Sequence, residues 1–198
     1  MAEELLDSYA YTNYSSAWDL RAVYPADDGI SAVGQCCTLK SATLTKAQFY
    51  IARYGSPVGN LRAVLTKLSG NYGTNASPTG ESLAESVPVA MAGLSYDYTL
   101  VNFIFSTPYK IEAGYYGIYL YVHDATTINS SNCVKAGYDG TSPTHSGNEF
   151  DHAGGEWWSD NNKNVIFYVY GELPTPPANP LISKPLISLI IASKPIIR

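Results

Sequence analysis

Alternation of apolar and polar residues with a period of two is the feature that most limits what this chain can become. "ATLTKAQFYIARY", Ala42 to Tyr54, alternates over its whole length, and "GSPVGN" then turns the chain. "LRAVLTKLS", Leu61 to Ser69, follows and leads into the polar stretch "GNYGTNASPTGES", which reads as a long loop. A strand puts successive side chains on opposite faces, whereas a helix repeats every 3.6 residues, so these runs specify strands. Further strands are expected at "SAVGQCCTL", Leu83 to Met91, Tyr98 to Ser106, Tyr115 to His123, Asn132 to Tyr138 and Val165 to Gly171. The one helix-like piece is "AEELLDS" near the start, readable as a turn of helix or an edge segment. Some eight strands with regular turns predict an all-β fold, a jelly-roll β-sandwich over residues 1–171.

Composition narrows the class. Of 198 residues only 15% are charged, while Tyr supplies 17 of 25 aromatics, beside 16 Gly and 12 Pro. Few charges with many Tyr, Thr, Ser, Asn and Gly fit an extracellular or cell-surface protein, or alternatively a virion protein, better than a helical cytosolic enzyme. A net charge of −5 without a basic cluster argues against a nucleic-acid partner. "MAEELLDSYAYTNYSS" has neither a basic n-region nor an apolar h-region, so export by a standard signal peptide is not expected. Cys36 and Cys37 are neighbours on opposite faces of a strand and do not bridge each other. Two states remain open: one of them pairs with Cys133, or all three are small buried apolar groups.

The stretch "GQCCTLKSATLTKAQFYIARYGSPVGNLRAVLTKLSGNYGTNASPTGESLAES", with "VKAGYDGTSPTHSGNEF" and "WWSDNNKNVIFYVYG" after it, resembles the carbohydrate-binding-module-like jelly-roll domains of phage virion and surface proteins. The likeness covers about residues 30–171 and rests on phrases, with no catalytic signature among them. It implies a non-enzymatic sandwich, often with structural calcium and sometimes with glycan affinity.

Three sets of residues carry candidate chemistry. "HSGNEFDHAGGEWWSDNN" gathers Asn148, Glu149, Asp151, His152, Glu156 and Asp160 within 13 residues. Oxygen ligands at loop positions suit calcium, and Asp27 and Asp28 in "YPADDGIS" offer more, so Asp27, Asp28, Asn148 and Asp151 are the expected ligands. Ordinary solvated carboxylates are the alternative. Tyr72, Tyr138, Trp157 and Trp158 could stack on sugar rings, although one of the two tryptophans should face inward if they lie in a strand. No GxSxG, HExxH or paired-carboxylate motif gives His123, His145 or His152 a catalytic role, and no enzyme is expected.

The third set closes the chain. "ELPTPPANP", residues 172–180, has four prolines in nine positions and reads as a semi-rigid spacer rising ~3.1 Å per residue. Nine of the 18 residues from 181 to 198 are Leu or Ile. Lys184, Pro185, Lys194 and Pro195 interrupt the run, so no membrane span of ~20 apolar residues is expected. As a strand the segment is apolar on both faces: Leu181, Ile187, Leu189 and Ile191 on one, Ile182, Leu186, Ile190 and Ile196 on the other. Such a tail after a sandwich is similar to the donor strand of extracellular filament or pilus subunits. It implies a homopolymer in which each copy inserts its last strand into the next, with calcium as a stiffener. A phage, virion or cell-surface module that binds glycans is the competing expectation.

Overall fold

The computed structural model describes residues 3–22 and 29–175. Asp27, Asp28, most of the spacer and the whole of 181–198, on which several sequence expectations fall, lie outside the described residues. In chain order the strands are β1 (Glu3–Tyr9), β2 (Ser16–Leu20), β3 (Ile30–Leu39), β4 (Ala42–Tyr54), β5 (Val58–Ser69), β6 (Ser77–Glu85), β7 (Val89–Ala90), β8 (Thr99–Ile111), β9 (Gly114–Thr127), β10 (Cys133–Asp139), β11 (Glu149–Ala153), β12 (Glu156–Asp160), β13 (Asn164–Val165) and β14 (Phe167–Glu172). Two single 3-10 turns, Tyr11–Asn13 and Met91–Gly93, are the helical content among them.

The expected all-β sandwich is what these strands build. In one layer β4 is central: β8 pairs along one side, and β14 and β10 share the other. β1 then flanks β14, and β2 flanks β10. The second layer runs β12-β11-β3-β9-β5-β6, with β7 on the far end of β5. One parallel ladder pair, Leu20 with Ile30, joins strands of the two layers. Side chains explain the rest of the cohesion. Phe49, Ile51, Phe103, Phe167 and Val169 from the first layer meet Leu61, Leu65, Ile118, Leu120 and Val122 from the second in one buried cluster. Phe49 and Phe103 sit edge to face at 5.9 Å.

The second layer is buried on its other face too. Ala32, Cys36, Val64, Tyr119, Tyr121 and Phe150 form a smaller cluster there, and β12 approaches β6 across it. β9 therefore sends Ile118, Leu120 and Val122 to one core and Tyr119 and Tyr121 to the other. Space at the centre of this layer is tight. A Cβ on Gly34 would fall on the Ile118 carbonyl and the Tyr119 Cβ of the neighbouring strand, so only glycine fits.

Several sequence expectations change. β4 begins and ends where the alternation does, at Ala42 and Tyr54. "AEELLDS" is an edge strand, not a helical turn: β1 pairs antiparallel with β14 and buries Leu6 and Tyr9. The long loop from residue 70 is shorter than expected, since β6 starts at Ser77. Leu83 to Met91 is not one strand; it breaks after Glu85 and resumes at Val89. The stretch read as a ligand loop is instead a hairpin, β11 and β12 joined by Gly154 and Gly155 at φ +60° and +84°. Two positive φ values in a two-residue connection match the twist of the flanking strands, which glycine permits at little cost. All three cysteines are free and buried. Burial pushes the Cys36 thiol up to about 12, so these are packing groups and not reactive ones.

Phe49→Ala should lower unfolding free energy by ~3–5 kcal/mol, and Gly34→Ala by ~1–3 kcal/mol through overpacking, in urea melts. Unchanged midpoints would contradict the double-layer packing.

Candidate functional site

The connection between β5 and β6 carries Tyr72 over the end of the second layer. Its phenol oxygen is held by Thr38 Oγ1, which donates at 3.0 Å, and lies 3.1 Å from Ser146 Oγ. Thr38 on β3 stands directly opposite Tyr115 on β9. That register brings the Tyr115 ring parallel to Tyr72, with centroids 4.2 Å apart. The two rings, with Leu68, Gly70, Asn71 and Ala76, line a surface groove of about 610 Å³. Tyr115 is 60% exposed, so one ring face remains open to solvent. No lining residue is charged.

The ring beneath the groove is anchored from several directions. Asn148 donates its amide to the Ala76 carbonyl at 2.8 Å, tying the loop to the start of β11. His145, partly buried, lies 3.2 Å from an Asp7 carboxyl oxygen, and Asp7 also accepts the Thr38 amide at 2.8 Å. β1, β3 and the segment preceding β11 are thus locked together under Ser146 and Tyr72.

The four aromatics singled out in the sequence do not share one surface. Tyr72 and Trp157 both border the smaller core. Trp157 packs on Tyr119 at 5.1 Å and His152 at 4.9 Å, whereas Trp158 is 58% exposed, so the alternation expected of the pair holds. Tyr138 lies elsewhere, packed on Trp18 at 5.3 Å with the Lys163 ammonium 4.4 Å above the Trp18 ring. Tyr115, the partner that makes the groove, escaped sequence analysis because only the β3–β9 register places it opposite Thr38.

Asn148 and Asp151, the described members of the expected calcium set, do not converge. Asn148 turns toward Ala76, while Asp151 shares the opposite face of β11 with Glu149. Among the described residues no group of three or more His, Cys, Asp or Glu is arranged to hold a metal ion.

Glu149 was passed over in the sequence as one more loop carboxylate. It is fully buried, directly opposite Asp160 and two residues from Asp151. The Trp18 indole N–H faces it without reaching hydrogen-bonding geometry, and neither that nitrogen nor either Glu149 oxygen has a partner. Burial first, and the neighbouring Asp151 second, push the Glu149 carboxyl well above the usual carboxylate range; Lys163 opposes them. Ser31 and His152 form another buried pair, Oγ to Nδ1 at 2.8 Å.

A scan against protein-family models finds no match, and a search of curated proteins finds none either.

Because the folded Glu149 holds its proton above the ordinary value of 4.5, its contribution is fully present below that pH and is lost as pH rises toward the folded value. Glu149→Gln removes this titration. The variant should gain on the parent by up to ~1.4 kcal/mol per pH unit as pH rises above 4.5 in denaturant melts. Parallel stability profiles would contradict a buried, protonated Glu149.

Proposed function

We propose that the chain is a non-enzymatic extracellular or cell-surface module whose groove between Tyr72 and Tyr115 binds a neutral glycan. The observation that carries this is the fixed, stacked tyrosine pair in an uncharged groove of about 610 Å³. That volume is within the range of small-ligand sites. Sugar rings present flat C–H faces that pack on aromatic rings, and hydroxyls that exchange hydrogen bonds with amides and phenols. The open face of Tyr115 suits the first kind of contact. Asn71 and the Tyr72 hydroxyl, both on the groove, suit the second. The absence of charge in the lining favours a neutral sugar over an acidic one. Tyr72 is held in place before any ligand arrives, which limits the ordering cost of binding.

A second reading, the homopolymer, is favoured by a separate observation. Leu173 packs on the main core, and Pro174 and Thr175 lie against Lys110, Ile111 and Glu112. Thr175, the last described residue, therefore stands beside the end of β8, within the proline-rich stretch that precedes a segment with nine Leu or Ile in 18 residues. A filament subunit that donates residues 181–198 to its neighbour accounts for that sequence. The two readings are compatible, since a polymer of glycan-binding beads gains avidity.

On an array of neutral and acidic oligosaccharides the full chain should bind a neutral group. Tyr115→Ala should weaken that binding at least ~10-fold, as loss of an aromatic anchor does, with melting temperature unchanged. No neutral ligand on the array, or equal binding by the variant, would remove the groove from the account.

A further inference from the structure

The layers of the sandwich do not close equally on all sides. Among the described residues β8, at the rim of the first layer, and β6, at the rim of the second, each pair with one strand: β8 with β4 and β6 with β5. The two rims face each other, and the backbone bond recorded between them comes from just beyond β6, Val87 N–H to the Ile104 carbonyl at 2.8 Å. Both of those residues are exposed apolar groups, Val87 at 41% and Ile104 at 44%. Just past Ile104, β8 leaves its ladder. Lys46 pairs with Ile104 and Leu44 with Tyr109, so residues 105 to 108 of β8 stand opposite Thr45 alone. The segment includes Pro108, which donates no backbone bond.

Two cavities follow the same stretch. One, of about 340 Å³, lies between Ser82–Glu85 of β6 and Thr107–Tyr109 of β8. The other, of about 360 Å³, lies at the far end of β8, between Lys110–Glu112, Ser41–Thr43 at the start of β4, and Leu173, Pro174 and Thr175, the last described residues. Leu83, Ala84 and Tyr109 along this side are only partly buried although they pack on the main core. An exposed strand rim with apolar groups beside it is an open invitation to another strand.

We propose that this side, between β6 and β8, is the acceptor for residues 181–198 of a second copy of the chain. The inference rests on the assembly reading given above. It names the occupant from the chain itself. Twenty-three residues, 176–198, lie beyond the described body, and they begin where the second cavity ends. "LISLIIAS", between Pro185 and Pro195, provides eight consecutive residues, enough for ~26 Å of strand. β8 spans 13 residues, of which 99–104 form a regular run before the strand leaves its ladder, so pairing there is partial and the rest of the segment lies along the cavities. The occupant's charges are Lys184, Lys194 and Arg198 with no carboxylate side chain, and the acceptor side carries Glu112 and Lys110 together with Glu85, which Arg62 already approaches at 3.4 Å, so length and position rather than charge name the occupant. A return into its own acceptor would have to bend the spacer back within Pro176, Pro177 and Pro180, residues that favour extension. Insertion into the next copy needs no such bend, and a head-to-tail contact of this kind continues without closing.

Two full-length variants test it. Ile104→Arg blocks the acceptor and leaves the donor segment intact; Ile190→Asp does the reverse. Both positions are chosen so that the body still folds, which the melting temperature of each checks; Val87→Lys serves as a second acceptor block. By light scattering the parent should form concentration-dependent oligomers, and each variant alone should need at least ~10-fold higher concentration to do so. An equimolar mixture of Ile104→Arg and Ile190→Asp should yield dimers of twice the monomer mass, because one donor and one acceptor remain. A parent that stays monomeric at every concentration sinks the assembly reading itself. A parent that assembles while both acceptor variants assemble equally well sinks this acceptor and leaves assembly by another surface. Single variants that fail to pair when mixed also overturn the proposal.

Discussion

Burial of the second layer on both of its faces is the constraint on which the rest depends. β9 runs through the middle of that layer with aliphatic residues on one side and tyrosines on the other. A strand can be apolar on both faces only if something covers both. The first layer covers one. The other is covered by the β11–β12 hairpin and by the connection that carries Tyr72, and that requirement brings Tyr72 down onto Tyr115. The groove is thus a by-product of closing the smaller core. It sits where the cover stops.

The same packing sets the cost borne at Glu149. Its neighbours Asp151 and Asp160 are placed by strand register, and like charges facing across a ladder are unfavourable. Lys163, 2.9 Å from Asp160 and over the Trp18 ring, is the cation that offsets them. A buried carboxyl with two unpartnered oxygens is a poor choice for stability alone. Burial raises its carboxyl toward the neutral form, which lowers that cost.

How far the sequence revealed this depended on whether the information was local. β4 could be read to the residue because alternation is a property of the strand alone. The inward turn of Trp157 and outward turn of Trp158 followed from the same rule. β1 was ambiguous, since "EELL" suits a helix in isolation and becomes a strand only against β14. The hairpin at Gly154–Gly155 was visible as a glycine pair but was overshadowed by the carboxylates around it. Glu149 and Tyr115 were not legible. One is defined by burial and the other by a partner 43 positions away in the chain, and neither leaves a trace in a short window.

One other aromatic surface competes with the groove. On the outer face of the first layer, Tyr14, Tyr50 and Tyr98 pack together over Gly137, where a Cβ would come within 3.1 Å of both Tyr14 and Tyr50. Backbone amide shifts recorded while a neutral oligosaccharide is titrated into the labelled full chain separate the two surfaces. The account predicts shifts concentrated at Gly70, Asn71, Tyr72 and Tyr115. Shifts confined to Tyr14, Tyr50, Tyr98 and Gly137, or none at saturating sugar, would contradict it.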